Sequence, residues 1–220
     1  MPRTNPRLND IHPLLRSRVL AIAKDHRGHY PDRRLCLIWG HRTPAEQNKA
    51  YRKRRSRIDG VKRFGLHNYR PSLAADLWVY LYDDGGPDMD LHEDRPERDT
   101  YKRLCLLEPG DFGNYYRPMG LTAKDHELEW GGDWPSLRDG PHVQMNREDR
   151  IRALQAVLNA CGFHAGGLDG IDGRKTRRAI KAAGRASGLK ASVGWRQRRL
   201  MPIHPDTWAW LFEHAGKVKP

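Results

Sequence analysis

Three side chains of metal-ligand type, His67, Asp76 and His142, lie far apart in this 220-residue chain and constrain its fold more than any other feature. A site built from them needs distant segments to run side by side, which a small sheet provides. Asp76 falls inside the run Leu73 to Tyr82, which reads as a strand broken by Asp83-Asp84-Gly85-Gly86-Pro87. His142-Val143-Gln144-Met145 reads as a final strand, and His67 sits on a loop just before the strand that carries Asp76. Two histidines and a carboxylate can fill three corners of a zinc tetrahedron and leave the fourth exchangeable. Asp139, three residues before His142, would lie on the turn leading in and could act as the base on a water at that open corner. The same histidines also read as hydrogen-bonded loop residues. His126-Glu127-Leu128-Glu129 offers a rival His-x-x-Glu pair, without the second histidine such helical zinc motifs require.

Apolar positions from Ile11 to Ala23 have helical spacing, and Leu35-Cys36-Leu37-Ile38-Trp39 reads as a buried strand. Thr43-Pro44-Ala45-Glu46 is a helix start: Thr caps, Pro takes the first position and Glu completes a capping box. That helix is expected to run towards Arg54. Residues 52–63 are a basic surface stretch, 87–100 a charged insertion, and Tyr101 to Leu107 a helix. Near residue 146 the pattern changes. Ile151, Leu154, Val157, Leu158 and Cys161 follow helical spacing, as do Thr176, Ala179, Ile180 and Ala183, and Trp208, Leu211 and Phe212 mark a third helix. The expected architecture is α+β: a small antiparallel sheet flanked by helices and holding the zinc site (1–146), then an all-α three-helix module (147–220).

The net charge is +13, and residues 147–220 hold a surplus of nine cations over anions. Such a field favours polyanionic partners. No helix-turn-helix, Cys/His finger or RNP pattern supports nucleic acid. Cys36, Cys105 and Cys161 form no Cys-x-x-Cys pair, so a thiolate zinc site is not expected, and the sparse count fits a reducing compartment. No run approaches the roughly 18 apolar residues of a membrane helix, and Met1-Pro2-Arg3-Thr4-Asn5-Pro6 lacks the apolar core of a secretory signal.

The order Arg42…Gln47, His67…Pro71-Ser72-Leu73-Ala74-Ala75-Asp76, then Trp130-Gly131-Gly132-Asp133-Trp134…Asp139-Gly140-Pro141-His142 resembles the zinc peptidoglycan peptidases. These include D-alanyl-D-alanine carboxypeptidases and phage L-alanyl-D-glutamate endopeptidases, and the Trp-Gly-Gly segment is most like the phage branch. The resemblance implies Zn2+ on His67, Asp76 and His142, with Asp139 as catalytic base. Arg42 would be a substrate-binding and oxyanion-stabilising arginine, and Gln47 would hold substrate. Trp130 is expected to wall the cleft, and Asp133 to serve a turn. Two departures stand out: Gly65 replaces the usual Ser, and the His67–Asp76 spacing is two residues longer than the common pattern, read as a widened loop at Arg70-Pro71-Ser72.

The second half resembles the three-helix peptidoglycan-binding domain, through the Leu154-Gln155 helix, the Asp169-Gly170-Ile171-Asp172-Gly173 turn and Thr176. Ala183-Gly184 stands where that family often has Phe-Gln. Arg174, Lys175, Arg177, Arg178, Lys181 and Arg185 are either a solvated helix face or a contact to anionic envelope polymers. Together the resemblances imply a phage-type endolysin. It would hydrolyse a stem-peptide bond of bacterial peptidoglycan, L-Ala–D-Glu before others, and lyse the host. The alternatives are a D-Ala-directed carboxypeptidase or endopeptidase, or a non-catalytic wall-binding protein. The implied setting is a monomer held in the host cytoplasm and released through a holin to the periplasm and wall.

Overall fold

The computed structural model describes residues 8–81, 115–136, 138–194 and 197–215. The breaker at 83–87, the insertion at 87–100, the helix expected over 101–107 and Cys105 lie outside them. The chain divides into two compact units, one of Met1–Gly40 with Ala74–Met145, the other of His41–Leu73 with Asn146–Pro220. The stretch 41–73 therefore packs with the C-terminal residues.

The first unit is built on a four-stranded antiparallel sheet of order β1-β2-β4-β3, with β1 Arg33–Trp39, β2 Ala74–Leu81, β3 Leu128–Trp130 and β4 His142–Met145. Helix α1, Pro13–His29, starts where the His12 ring accepts a hydrogen bond from the Leu14 N–H and Pro13 fills the first helical position. Its buried residues Leu15, Val19, Ile22 and His26 form one stripe, each apolar member contributing about 1.5–3 kcal/mol by leaving water. Helix α3, Arg117–Asp125, packs against α1 and β3. Neither α3 nor the three-residue β3 has a sequence run long enough to show a period.

Pleating sorts the sheet into two faces. Leu77, Val79, Val143, Met145, Leu128 and Trp130 alternate onto one, all buried. Trp130 on that face meets Gly120 of α3, so this is the helix-covered side. Asp76, His142, Gln144 and Glu129 fall on the other.

In the second unit, α2 spans Pro44–Arg52 and carries the capping box read from the sequence: Thr43 Oγ1 accepts from the Glu46 N–H and the Glu46 carboxylate accepts from the Thr43 N–H. The helix ends two residues before Arg54. Helices α4 (Arg147–Ala160), α5 (Arg174–Ser187) and α6 (Pro205–His214) form the C-terminal module. Buried Gln155 of α4 explains the glycine turn. Its Nε2 donates to Asp169 Oδ1, Ile171 O and Thr176 Oγ1, and its Oε1 accepts from the Gly170 N–H. Gly170 has φ +72°, where a side chain is disfavoured. Residues 64–71 join the same unit. Tyr69 donates its hydroxyl to Ile203 O at 3.0 Å, Trp208 Nε1 donates to Pro71 O at 3.1 Å, and Phe64 packs edge-on to His204.

His26 is 0% exposed and neither ring nitrogen has a hydrogen-bond partner. Burial, with Arg33 adding, lowers its pKa to about 4. The unfolded chain then binds the proton more tightly than the folded one, so stability is fully present above about pH 6.5 and falls as pH drops towards 4. The loss is on the order of 3 kcal/mol for this one group. Chemical denaturation at pH 7.5 and pH 4.5 should show it, and His26→Leu should flatten that dependence.

Candidate metal centre

One nitrogen or oxygen from each of His67, Asp76 and His142 comes within 4.8 Å of the other two, and all three residues are buried. Each arrives by a different local device. Asp76 and His142 are direct partners in the β2–β4 ladder, and Asp76 Oδ1 lies 3.1 Å from His142 Nδ1. His67 sits in the 3-10 turn Leu66–Asn68. That turn is tied down by Asn68, whose Oδ1 accepts from the Gly65 N–H and whose Nδ2 donates to Arg42 O. Arg42 in turn donates its N–H to His67 O at 2.7 Å. The widened loop beyond closes through Leu73 N and Ser72 Oγ, which both donate to Leu66 O.

Asp139 is half-buried on the turn before β4. Its N–H donates to Gly131 O and its carbonyl accepts from the His142 N–H. Burial opposes a charged His142 ring, but the hydrogen bond and charge of Asp76, joined by the charge of Asp139 and the Gln144 amide, hold its pKa above the ordinary histidine value.

The other anticipated residues are distributed differently. Gln47 is buried, and its amide nitrogen donates to Ser56 Oγ and Ile58 O, shaping the loop after α2. Trp130 is 6% exposed and donates its indole N–H to Gly140 O at 2.7 Å. Its ring is sandwiched: a Cβ on Gly120 or Gly132 would fall 2.1 Å from it. Trp130 is thus a core residue, and the tryptophan beside the histidine is half-buried Trp134, its ring centroid 4.8 Å from that of His142. Asp133 pairs with Lys124 at the surface. The rival pair parts company, with His126 bonded to Asp25 and Glu129 to Gln144. The roles of Gln144, Asn68 and Trp134 were not read from sequence, and Glu129 was read only as half of the rival pair, because nothing marks a lone amide or one of two tryptophans without knowledge of strand register.

The donor set suits zinc: two imidazoles and one carboxylate, buried and within reach of one ion. Residues 60–145 match the D-alanyl-D-alanine carboxypeptidase family, and residues 147–192 the peptidoglycan binding domain. Over 142 residues the chain is 25% identical to the peptidoglycan L-alanyl-D-glutamate endopeptidase CwlK of Bacillus subtilis (strain 168), covering 62% of this chain and 74% of that protein. Among solved structures, the Serratia marcescens L-Ala D-Glu endopeptidase ChiX aligns with a TM-score of 0.40 and 20% identity over 65% of this chain and 86% of that one. The chain thus carries a metallopeptidase domain of the carboxypeptidase family. It is joined to a peptidoglycan-binding domain, and its polymer is peptidoglycan.

The Gly131-Gly132 pair has a steric reason. A Cβ on Gly131 would lie 2.6 Å from Asp139 O, so Gly131→Ala must push back the turn that carries Asp139. Gly132→Ala must displace Trp130. Each is expected to cost about 1–3 kcal/mol in thermal or denaturant unfolding, with Gly131→Ala also lowering turnover. Gly28→Ala, in α1 with nothing within 4 Å of the added carbon, should instead stabilise by up to about 1 kcal/mol.

Proposed function

We propose that this protein is a zinc-dependent endopeptidase cutting the L-Ala–D-Glu bond of peptidoglycan stem peptides. The observation that carries the reading is the convergence of His67, Asp76 and His142 in one buried cluster. The choice of bond is supported by the relative whose name specifies it. His67, Asp76 and His142 would hold the ion. Zinc on such a set supplies a Lewis acid that polarises a carbonyl and brings the pKa of water to about 7. Asp139 then takes the proton of the attacking water and passes it to the departing amine. Arg42, fixed through its own backbone to the His67 loop, offers its guanidinium to a substrate carboxylate or the developing oxyanion. Trp134 shields the face of His142 and walls the cleft, while Trp130 supports the turn beneath.

The C-terminal module supplies the hold on the polymer. A concavity of about 370 Å³ is lined by Arg177, Lys181 and Arg198, with Ile180, Val193 and Pro202 as its apolar part. Asp172 pairs with both arginines at 3.1 Å, orienting them and leaving a cationic surplus for carboxylates of the wall or of anionic envelope polymers. We place this activity in a phage-type endolysin that passes from host cytoplasm to wall with holin assistance, acting as a monomer. Lysis on co-expression with a holin, and not without it, tests that setting.

Mass spectrometry of digested peptidoglycan should reveal new N-terminal D-Glu. Release of D-Ala instead would replace this reading by the carboxypeptidase alternative. Asp139→Asn should lower kcat by about 10²–10⁴-fold at unchanged zinc content, and chelation should abolish turnover until zinc is restored. Undiminished hydrolysis by Asp139→Asn would remove the base. The double variant Arg177→Glu, Lys181→Glu should weaken sedimentation with insoluble peptidoglycan while leaving cleavage of a soluble stem peptide unchanged.

A further inference from the structure

We infer that a cavity beside the His67 loop is a subsite for the carboxylate-rich part of the stem peptide, the part that begins at D-Glu. The inference deepens the L-Ala–D-Glu reading above and rests on it. The cavity holds about 500 Å³, within the range of small-molecule sites. Ile58, Phe64 and Leu200 form its apolar wall, and Lys62 and Arg63 stand beside them. All five belong to the second unit. Leu200 and its neighbour Gln197 come from beyond the residues that match the peptidoglycan binding domain, so the pocket is a feature of this chain rather than of that module.

The loop that carries the two cations is held by its own bonds. Asp59 Oδ1 accepts from the N–H groups of Val61, Lys62 and Arg63, each at 2.9 Å, and the Gly60 N–H donates to Arg63 O. Buried Gln47 backs the loop by donating to Ser56 Oγ and Ile58 O. Gln47, expected from the resemblance to hold substrate directly, thus acts through the wall it shapes. Across the cavity, Gln197 Nε2 donates to Phe64 O.

Charge selects the occupant. Residues 41–73 carry ten Lys or Arg against two acids, Glu46 and Asp59. Both acids are engaged locally, Glu46 by Thr43 and Asp59 by the loop N–H groups. Lys62 and Arg63 are exposed, while Ile58, Phe64 and Leu200 are half-buried. A ligand that matches this pocket combines aliphatic stretches with several carboxylates. The stem peptide beyond L-Ala has that make-up: D-Glu, a diamino acid with a free carboxylate, and D-Ala. The glycan that bears it is uncharged. Phe64 stands three residues before His67, which limits their Cα separation to about 11 Å, and three extended residues span about 10 Å. One stem peptide can therefore reach from the His67 loop to Lys62 and Arg63.

The test uses metal-free full-length protein, in which binding is read without turnover, and the synthetic peptide D-Glu–diaminopimelate–D-Ala. NMR titration follows the Phe64 backbone amide and the Gln197 side-chain amide. The expected result is saturable shifts at both. Affinity should fall about 5–30-fold in the double variant Lys62→Glu, Arg63→Glu at an unchanged unfolding midpoint, and similarly when the peptide carboxylates are amidated. Shifts confined to the concavity of Arg177 and Lys181, equal affinity in the double variant, or equal binding of the amidated peptide overturns the inference. So does saturation of the same two signals by phosphatidylglycerol vesicles and not by the peptide. If the double variant fails to fold, Lys62→Ala removes one exposed side chain and should weaken binding by up to about 5-fold; no weakening counts against the subsite. Peptide binding here together with cleavage at D-Ala would keep the subsite and remove the bond assignment. Cleavage at L-Ala–D-Glu without this binding would do the reverse.

Discussion

The register of β2 against β4 carries the centre of this molecule. Setting Asp76 directly opposite His142 puts a carboxylate and an imidazole at hydrogen-bonding distance without any loop having to find the geometry. A slip of one residue would turn His142 towards the helix-covered face and Val143 into its place. The apolar residues on the other side make that slip costly: Val143 and Met145 of β4 would lose their places on the helix-covered face together. The hydrophobic alternation that holds the sheet is therefore also what aims the polar residues.

Around that pair, sterics act where hydrogen bonds do not. Trp130 occupies space that two glycines leave open, and its indole N–H takes the Gly140 carbonyl. Gly131 admits the backbone of Asp139 at a distance no side chain would allow. The turn from 131 to 142 is then fastened by the bonds from Asp139 N to Gly131 O and from His142 N to Asp139 O. Asp139, proposed above as the base, and His142 are thus held on one short, internally bonded segment.

The three residues that converge were legible through the family resemblance rather than through spacing alone, because the chain has 11 histidines and many carboxylates; Asp76 and His142 also stood in runs that read as strands. The capping box at Thr43 and the long helices α1, α4 and α5 were legible from local rules. Other features depend on partners that no local window contains. Strand β3 is too short to alternate, α3 contains Pro118 and Gly120 and shows little helical signal, and the two tryptophans differ only in what the fold puts beside them. Gln144 reads as one polar residue in a four-residue strand, and its meaning appears only once Glu129 stands across from it.

The association of residues 41–73 with the C-terminal residues belongs to that second class and changes how the C-terminal module is understood. The His67 loop is held from one side by Arg42 and Asn68. From the other it is held by the Tyr69 hydroxyl on Ile203 and by the Trp208 indole on Pro71. Tyr69 and Trp208 are both fully buried, with rings meeting edge to face. A helix whose buried tryptophan hydrogen-bonds the loop of a candidate ligand is not a detachable appendage. In this chain the C-terminal module proposed to hold the polymer and the loop that carries His67 share buried contacts, so the stability of one is part of the geometry of the other.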